Sequence, residues 1–309
     1  MKDKIKLHFM TFENAYQEYL EYITIKQKYQ SAEDLKYKFK NHILPFFGKM
    51  KIKNINTKIY IKWQEEMIKK GYSYTFKKNC HYCMCSFFNF LNMNYKIKNI
   101  PKIVGNFKED YETEKNKNIW TIKEYNKFIE SIDNQLYQTI YRILFFTGIR
   151  KGELLALTFK DIEENYLYIT KNKTRNNKIT KPKTKKSIRK IILDEKTIKI
   201  INDLKNLYKQ KYENFNDNFF ICGGIKSISF TTLERMKNYY CDKAKVKRIR
   251  IHDFRHSHAS MLYEKNIPIF AISKRLGHDN ITTTLGIYTH MNDEKEKKVN
   301  QLLSSLKNL

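Results

Sequence analysis

Apolar residues recur at helical spacing through most of the first hundred positions of the chain. In the clearest run every fourth residue is apolar, at Leu35, Phe39 and Ile43. This spacing predicts a helix with one buried face. The capping-box pattern SAED at 31–34 predicts where that helix begins, and Pro45 and Gly48 predict where it ends. Similar stripes predict helices at 57–71 and 75–93, so we expect a small helical domain here.

A change of pattern marks a boundary after these helices. Residues 106–118, NFKEDYETEKNKN, have almost no apolar content and mix both charges densely, which predicts an exposed linker. We therefore predict a helical domain at 1–105 and a second domain at 119–309. The end of the second domain, 291–309, has an apolar stripe after a charged lead, which predicts a helical tail.

The second domain combines helices with a few strands. A capping-box pattern at 121–124 predicts a helix start, and the run LYQTIYRILFFTG predicts a buried helix that ends at Gly148. Segments with strand character lie at 166–170 and 187–193. The basic stretch 171–190 has ten Lys or Arg residues and no acidic residue, so an anion is expected to offset its self-repulsion. These patterns predict a mainly α fold with a small β-sheet, an α+β class.

The net charge is strongly positive, because 60 Lys and Arg residues face 32 Asp and Glu residues, giving +28. A nucleic acid is the natural partner, although a chain rich in Lys, Asn and Ile can also reflect AT-rich coding DNA. No segment is apolar enough to span a membrane, and the N-terminus lacks a signal-peptide core. We therefore expect a cytosolic protein whose five cysteines are reduced. The CHYC motif at 80–83 matches half of a zinc site, but core cysteines are favoured because no second close pair follows.

Two basic motifs hold the candidate chemistry. The segment IHDFRHSHASML crowds three histidines and an arginine together. His252 and His256 have the spacing of a zinc site, but the permanent cation of Arg255 would repel a metal ion. A phosphate facing His252 and Arg255 suits the segment better, and His256 and His258 are expected to be packing or surface residues. In TGIRKGELLAL, Arg150 follows the glycine that ends the buried helix, where a rigid guanidinium could bind phosphate oxygens.

Together with PKTKKSIRKIIL and LGHDNITTTLGIYTHM, these motifs make the chain resemble the tyrosine recombinase family of phage and transposon integrases and Xer-type recombinases. The resemblance covers nearly the whole chain, because TFENAYQEYL and HILPFFG are similar to the family's core-site-binding domain. It implies a SAM-like core-binding domain at 1–105 and a catalytic domain at 119–309 that clamp DNA. It also implies a catalytic site of six residues: Arg150, Lys183, His252, Arg255, His278 and Tyr288.

The resemblance assigns a role to each of these residues. Tyr288 would attack a DNA phosphodiester and form a 3′-phosphotyrosyl bond with release of a 5′-hydroxyl. Arg150 and Arg255 would bind the non-bridging oxygens and offset charge in the transition state. His278 would donate a further hydrogen bond, and His252 would hold or move a proton near the tyrosine.

The remaining role, protonation of the leaving 5′-oxygen, belongs to a lysine in this family. Lys173 and Lys183 both precede a threonine in the basic stretch. We favour Lys183 because PKTKKSIRKIIL leads directly into a strand, as in the matching element integrases. Lys173 is then expected only to contact backbone phosphate.

The implied function is site-specific recombination of duplex DNA without a metal, nucleotide or other cofactor, and integration or excision of a mobile element or phage is favoured. Resolution of chromosome or plasmid dimers is the alternative. A catalytically silent DNA-binding protein and a metal-dependent nuclease are the rivals from other classes. The chain reaches TFENAY by residue 11. Either it has a short, Xer-like architecture or it lacks the arm-site-binding domain of large integrases.

The implied partners are double-stranded DNA at recombination core sites and three further copies of the chain. The tail at 291–309 is expected to dock on a neighbouring copy, and packing on its own domain is the alternative. Accessory factors that bend DNA or set direction are further expected partners. The protein should be associated with the nucleoid in the cytosol.

Overall fold

The computed structural model describes four segments of the chain: 9–26, 29–108, 118–182 and 184–277. Contacts divide the chain into two compact units, Met1–Lys115 and Asn116–Leu309. Each unit has a hydrophobic core of its own. Within the described segments, no helix is long and apolar enough to cross a membrane.

The described part of the first unit is helical. Its helices are α1 (Phe12–Lys26), α2 (Tyr29–Lys38), α3 (Leu44–Phe47), α4 (Thr57–Lys69), α5 (Tyr74–Tyr95) and α6 (Ile100–Val104). The side chains of Asn56, Ser73 and Asn99 cap the last three by accepting hydrogen bonds from backbone N–H groups. The helices predicted at 57–71 and 75–93 are confirmed as α4 and α5.

The start of the helical run around α2 and the role of Pro45 differ from the prediction, whereas the run does end at Gly48, which follows the last residue of α3. Ser31 lies inside α2 and is exposed, so it does not cap the helix. The capping-box pattern is misleading here because a serine and an acid on the solvent side of a helix look the same in sequence. At its C-terminal end α2 continues through a π-helical turn, Phe39–Ile43, into α3. Pro45 lies in the first turn of α3, where its missing N–H costs no helical hydrogen bond, so it does not end the run.

Aromatic side chains dominate the core of the first unit. The largest fully buried ones are Phe12, Tyr19, Phe39, Phe47, Tyr60, Trp63, Phe87 and Phe88. The rings of Tyr16 and Phe39 are stacked with centroids 4.5 Å apart, and Phe39 meets Phe87 edge-on at 5.7 Å. Such ring contacts stabilise the core beyond the burial of apolar area. The residues predicted to face the core are buried in it.

Phe107 belongs to this core, although it lies in the predicted linker 106–118. Its side chain is 6% exposed and packs with the buried residues of the first unit. The ammonium group of Lys77 lies 5.7 Å from its ring centroid. The linker was therefore predicted to begin too early, because a single aromatic residue in a charged stretch does not change its average composition.

The second unit contains helices and short strands. Its described part has the helices α7 (Ile122–Glu130), α8 (Gln135–Thr147), α9 (Lys151–Leu154), α10 (Glu195–Lys211), α11 (Phe230–Lys243), α12 (Asp253–Glu264) and α13 (Ile269–Leu276). The predicted capping box is confirmed, since the Thr121 N–H donates to Glu124 Oε2 at 2.8 Å and the Glu124 N–H to Thr121 Oγ1 at 3.2 Å. The buried helix that was predicted to end at Gly148 is α8.

The described part of the second unit also contains two small antiparallel sheets. The strands are β1 (Ile162–Glu163), β2 (Tyr166–Ile169), β3 (Asn172–Lys173), β4 (Ile179–Thr180) and β5 (Arg189–Ile192). One sheet has the order β1-β2-β5, and β3 pairs with β4 in the other. The strand segments predicted at 166–170 and 187–193 are confirmed as β2 and β5, and Ile169 lies opposite Arg189.

Candidate active site

The turn that follows α8 is packed tightly against two other helices. Gly148 has a φ of 64°, and a Cβ at this position would lie 2.7 Å from Leu276 Cδ2 in α13 and 2.8 Å from His258 Cδ2 in α12. A larger residue would therefore both strain the backbone and displace these helices. The carbonyl of Gly148 accepts a hydrogen bond of 2.9 Å from Nη1 of Arg255. This turn fixes the backbone two residues before Arg150.

Arg150 lies at the N-terminal end of α9, in extended backbone geometry. Its Nη1 donates to Glu153 Oε1 at 2.8 Å, and its Nη2 donates to the carbonyl of Gly277 at 3.1 Å. The side chain is nevertheless 35% exposed. A guanidinium with two anchored nitrogens and a face open to solvent is suited to hold a phosphate oxygen in a defined place.

A buried carboxylate joins Arg150 to a second arginine. The side chain of Glu153 is 3% exposed, and it accepts hydrogen bonds from the Arg150 backbone N–H at 2.9 Å and from Arg189 at 2.9 and 3.2 Å. Burial alone would raise the pKa of Glu153, but the hydrogen bonds and charges of Arg189 and Arg150 outweigh it and hold the pKa below its ordinary value. Two cations and one anion leave this corner positive.

Sequence reasoning missed Glu153 and Arg189. The available signal was an acidic residue three positions after Arg150, but acidic residues are common in the first turn of any helix because they complement its dipole. Glu153 and Arg189 are 36 residues apart in sequence, so nothing local indicates that they pair.

Arg255 and His252 lie at the N-terminal end of α12. Arg255 is only 2% exposed. His252 is the residue before the first turn of the helix, and it is exposed to solvent. The ring of His252 is nonetheless crowded, with the ring of His256 edge-on at a centroid distance of 4.9 Å. Desolvation lowers the pKa of His252, and its electrostatic interactions with His256 and Arg255 lower it further. Arg150 acts in the same direction, so His252 is neutral near pH 7 and able to accept a proton.

His258 is a packing residue. It is 1% exposed, and its Nε2 accepts a hydrogen bond of 3.2 Å from Nε of Arg275. Burial lowers the pKa of His258 to about 3, and the charge of Arg275 acts in the same direction. The ring is therefore neutral throughout the physiological range.

Lys173 is buried in β3 and is 7% exposed. Its Nζ donates to the carbonyls of Ser227 at 3.1 Å and Ile228 at 3.2 Å, and burial lowers the pKa of its ammonium group. The expectation that Lys173 contacts only backbone phosphate is wrong, because its donors are directed at the main chain of its own unit.

The structure thus brings together three of the six predicted site residues, Arg150, His252 and Arg255. The other three, Lys183, His278 and Tyr288, lie outside the described residues. The tail at 291–309 lies outside them as well. In the part of the chain that is described, no group of three or more His, Cys, Asp or Glu side chains is placed to hold a metal ion. Cys80 of the CHYC motif is fully buried in the core of the first unit.

A helical unit is followed by a unit in which two anchored arginines lie near a neutral histidine, an arrangement suited to a phosphate group. This chain belongs to the phage integrase family. The family's pattern matches residues 119–295, and that of the phage integrase N-terminal SAM-like domain matches residues 11–68. The protein is therefore a tyrosine recombinase, a site-specific enzyme that cuts and rejoins DNA.

Relatives include integrases of mobile elements. The chain is 28% identical over 300 residues to the ICEBs1 integrase of Bacillus subtilis strain 168, with 93% of this chain and 81% of that protein covered. Its fold is similar to that of the Tn1549 transposon integrase in complex with transposon right end DNA (TM-score 0.74, 22% identity, 95% and 100% of the two chains covered). It is also similar to the lambda integrase tetramer bound to a Holliday junction (TM-score 0.70, 17% identity, 90% and 77% covered).

Proposed function

We propose that this recombinase integrates and excises a mobile element or phage, with Arg150, Lys183, His252, Arg255, His278 and Tyr288 as its catalytic residues. The observation that carries the proposal is the arrangement at the Gly148 turn. Arg255 donates to the carbonyl of that turn, and Arg150 follows it with two nitrogens anchored. Both positive charges act on the ring of His252. Rigid cations that need no reorganisation are what a phosphorane-like transition state requires.

Tyr288 is the proposed nucleophile. A phenol has a pKa of about 10, so only about 0.1% of it is ionised at pH 7, and about 4 kcal/mol separates the resting group from the phenolate. Neutral His252 can accept the phenolic proton, directly or through water. The positive charges of Arg150 and Arg255 reduce the basicity of His252, but they also favour the phenolate that forms. Attack forms the bond between Tyr288 and the 3′-phosphate and breaks the bond to the 5′-oxygen.

Lys183 is the proposed acid for the leaving 5′-oxygen. An alkoxide is too basic to leave unaided at neutral pH, so a proton must arrive as the bond breaks. Support comes from Lys173, the other candidate, whose Nζ donates to two backbone carbonyls. An ammonium group that donates to two main-chain carbonyls of its own unit is poorly placed to release its proton to DNA.

The proposed partners are duplex DNA and three further copies of the chain, with the tail at 291–309 docking on a neighbouring copy. The net charge of +28 supports a polyanionic partner. Further support comes from the relatives named above, of which one is recorded with transposon end DNA and another as a tetramer on a Holliday junction. Accessory DNA-bending or directionality factors and association with the nucleoid belong to the same proposal.

Covalent trapping tests the proposal. Nicked duplexes that tile the DNA flanking the gene are incubated with the full chain in excess chelator. Because of the nick, the short cleaved fragment dissociates and cannot be rejoined, so the protein–DNA adduct accumulates. We expect a protein–DNA adduct that resists denaturant, and none with Tyr288→Phe, which deletes one oxygen and little contact surface. Cleavage without adduct that the chelator abolishes would instead identify a metal-dependent nuclease.

A further inference from the structure

Arg189, the first residue of β5, is a buried arginine with four hydrogen bonds. Its side chain is 7% exposed. Its Nε donates to the carbonyl of Arg275 at 2.8 Å, and its Nη1 donates to the carbonyl of Ser187 at 3.0 Å and to Glu153 Oε1 at 3.2 Å. Its Nη2 donates to Glu153 Oε2 at 2.9 Å. The planar fork of a guanidinium meets these acceptors in one fixed orientation, which an ammonium group cannot do.

The acceptors belong to separate parts of the candidate active site. Glu153 is the carboxylate that holds both the backbone N–H and the guanidinium of Arg150. Arg275 lies in the last turn of α13, two residues before Gly277. The chain continues from there directly into His278.

The contact between Arg189 and the end of α13 is close. A Cβ on Gly277 would lie 3.0 Å from Arg189 Cδ and 3.0 Å from the carbonyl of Lys186, and Gly277 has a φ of 68°. The carbonyl of Gly277 accepts a hydrogen bond from Arg150 Nη2. Arg150 and Arg189 therefore both donate to Glu153 and both donate to carbonyls at the end of α13. The two arginines, the carboxylate and the α13 terminus form a closed ring of contacts.

Burial makes this ring stiff. Glu153 and Arg189 are each less than a tenth exposed, so neither can exchange its partner for water without a large desolvation cost. Removing one partner of such a pair leaves an uncompensated buried charge, and the surrounding groups must move to satisfy it. The groups that would move are those that hold Arg150 and the segment leading to His278.

We propose that Arg189 is a positioning residue for DNA strand cleavage, which places Arg150 through Glu153 and fixes the α13 terminus that precedes His278. The inference rests on the proposed function, because it gives Arg189 a role in that same reaction. Arg189 does not contact DNA in this account, since its donors are already directed at protein acceptors. Its position six residues after Lys183 also ties the basic stretch to the same corner.

The test compares Arg189→Met and Arg189→Lys with Arg248→Met in single-turnover adduct formation on nicked site DNA. Arg248 is a matched control, because it makes a two-pronged contact with Asp242 in the same unit but is 60% exposed. We expect Arg189→Met to cleave about 100-fold more slowly than wild type, as for a small misplacement of catalytic groups, with DNA affinity near that of Arg248→Met. Its melting temperature should fall below that of Arg248→Met because a buried charge loses a partner, so the rates are compared at a temperature at which both variants are folded. Arg189→Lys should recover part of the rate by restoring the charge.

Two readouts separate positioning from a general loss of structure. Arg189→Met removes the largest influence that lowers the pKa of Glu153 and leaves only Arg150 to oppose burial, so that pKa rises. The rate of Arg189→Met relative to wild type should therefore fall further as pH decreases, because Glu153 takes up a proton at a higher pH than in wild type and releases Arg150. In a double-mutant cycle, Arg189→Met should cost little in a Glu153→Gln background.

The outcomes distinguish this inference from the proposed function. If wild type forms adduct and folded Arg189→Met does so at the same rate, the role of Arg189 is refuted and the recombinase proposal stands. An additive double-mutant cycle, or a defect confined to DNA affinity, would equally refute positioning through Glu153. If Arg189→Met does not fold, Arg189→Lys is the test, because lysine lacks the planar fork of the guanidinium. A wild-type cleavage rate and pH profile for Arg189→Lys would then refute the positioning role of Arg189. Absence of adduct with wild type refutes the proposed function itself.

Discussion

The core of the first unit and the corner around Glu153 in the second unit stabilise structure in different ways. The first buries rings such as Phe39 and Trp63, which pack without directional bonds and tolerate small shifts. The second buries charges, Glu153, Arg189 and Arg255, whose hydrogen bonds allow one arrangement. Buried ion pairs contribute little net stability compared with apolar packing, so their presence indicates that geometry at this corner matters more than stability.

This difference predicts which measurement responds to substitution in each region. Changes in the aromatic core should appear in the free energy of unfolding, whereas changes at the charged corner should appear in the rate of DNA cleavage.

The largest expected effect concerns the leaving-group proton. Lys183→Ala should cleave ordinary DNA about 10²- to 10⁴-fold more slowly, because general acid catalysis is lost. Replacing the bridging 5′-oxygen by sulfur should restore most of the rate, since a thiol with a pKa near 8.5 leaves as the anion. Single-turnover cleavage of both substrates is the measurement.

Lys173→Ala provides the contrast on the same two substrates. We expect it to lower the free energy of unfolding by about 1–3 kcal/mol, because the carbonyls of Ser227 and Ile228 lose their donor. Its cleavage of the folded fraction should not respond to sulfur. Strong rescue of Lys173→Ala by the 5′-thio substrate would instead make Lys173 the acid.

In the aromatic core, Phe39→Ala should lower the free energy of unfolding of the first unit by about 3–5 kcal/mol, because a fully buried ring is lost. The chain has two tryptophans, Trp63 in the first core and Trp120 in the second. In a Trp120→Phe background, urea-dependent fluorescence therefore reports the first unit. Tyr37→Ala, at a 60% exposed site, is the control and should change stability little.

At the charged corner, Arg255→Lys should reduce the cleavage rate about 10²- to 10³-fold, because an ammonium group cannot hold both the Gly148 carbonyl and a phosphate in the fixed geometry of a guanidinium. DNA affinity, measured by mobility shift, should change less than about threefold, because the substitution removes no net charge. Lys265→Ala, an exposed change at the other end of α12, is the control. A pure loss of affinity would break the division between the regions.

The smallest expected effect is a pH dependence of stability from His258. When unfolded, His258 takes up a proton near pH 6.5, whereas burial lowers the pKa in the folded protein to about 3. Between these values the unfolded state binds more protons, so stability falls as pH decreases, by at most about 1.4 kcal/mol per pH unit. His258→Gln should flatten this slope between about pH 6 and pH 5 in urea titrations. An unchanged slope would show that His258 titrates normally.

The features that sequence predicted well are local. The Thr121–Glu124 box and the glycine at 148 are defined by bonds within a few residues, so their patterns carry the geometry. The π-helical turn before Pro45 was not predicted, because it depends on how Phe39 and Ile43 fit a core assembled from distant residues.

In the candidate site, sequence suggested Arg150, His252 and Arg255 because their types and order match the family. It did not suggest Glu153 or Arg189, because their pairing depends on β5 lying beside α9. Long-range ion pairs leave no periodic trace in a single sequence. Position in the fold, rather than residue type, identifies them.

The most direct test of the central claim is to identify the amino acid that becomes joined to DNA. The adduct trapped on a nicked site is digested with protease and nuclease, and the modified peptide is sequenced by mass spectrometry. We expect a nucleotide on Tyr288, in the peptide that contains LGIYTHM, and on none of the other tyrosines. A nucleotide on a different tyrosine, or on any serine, would contradict it.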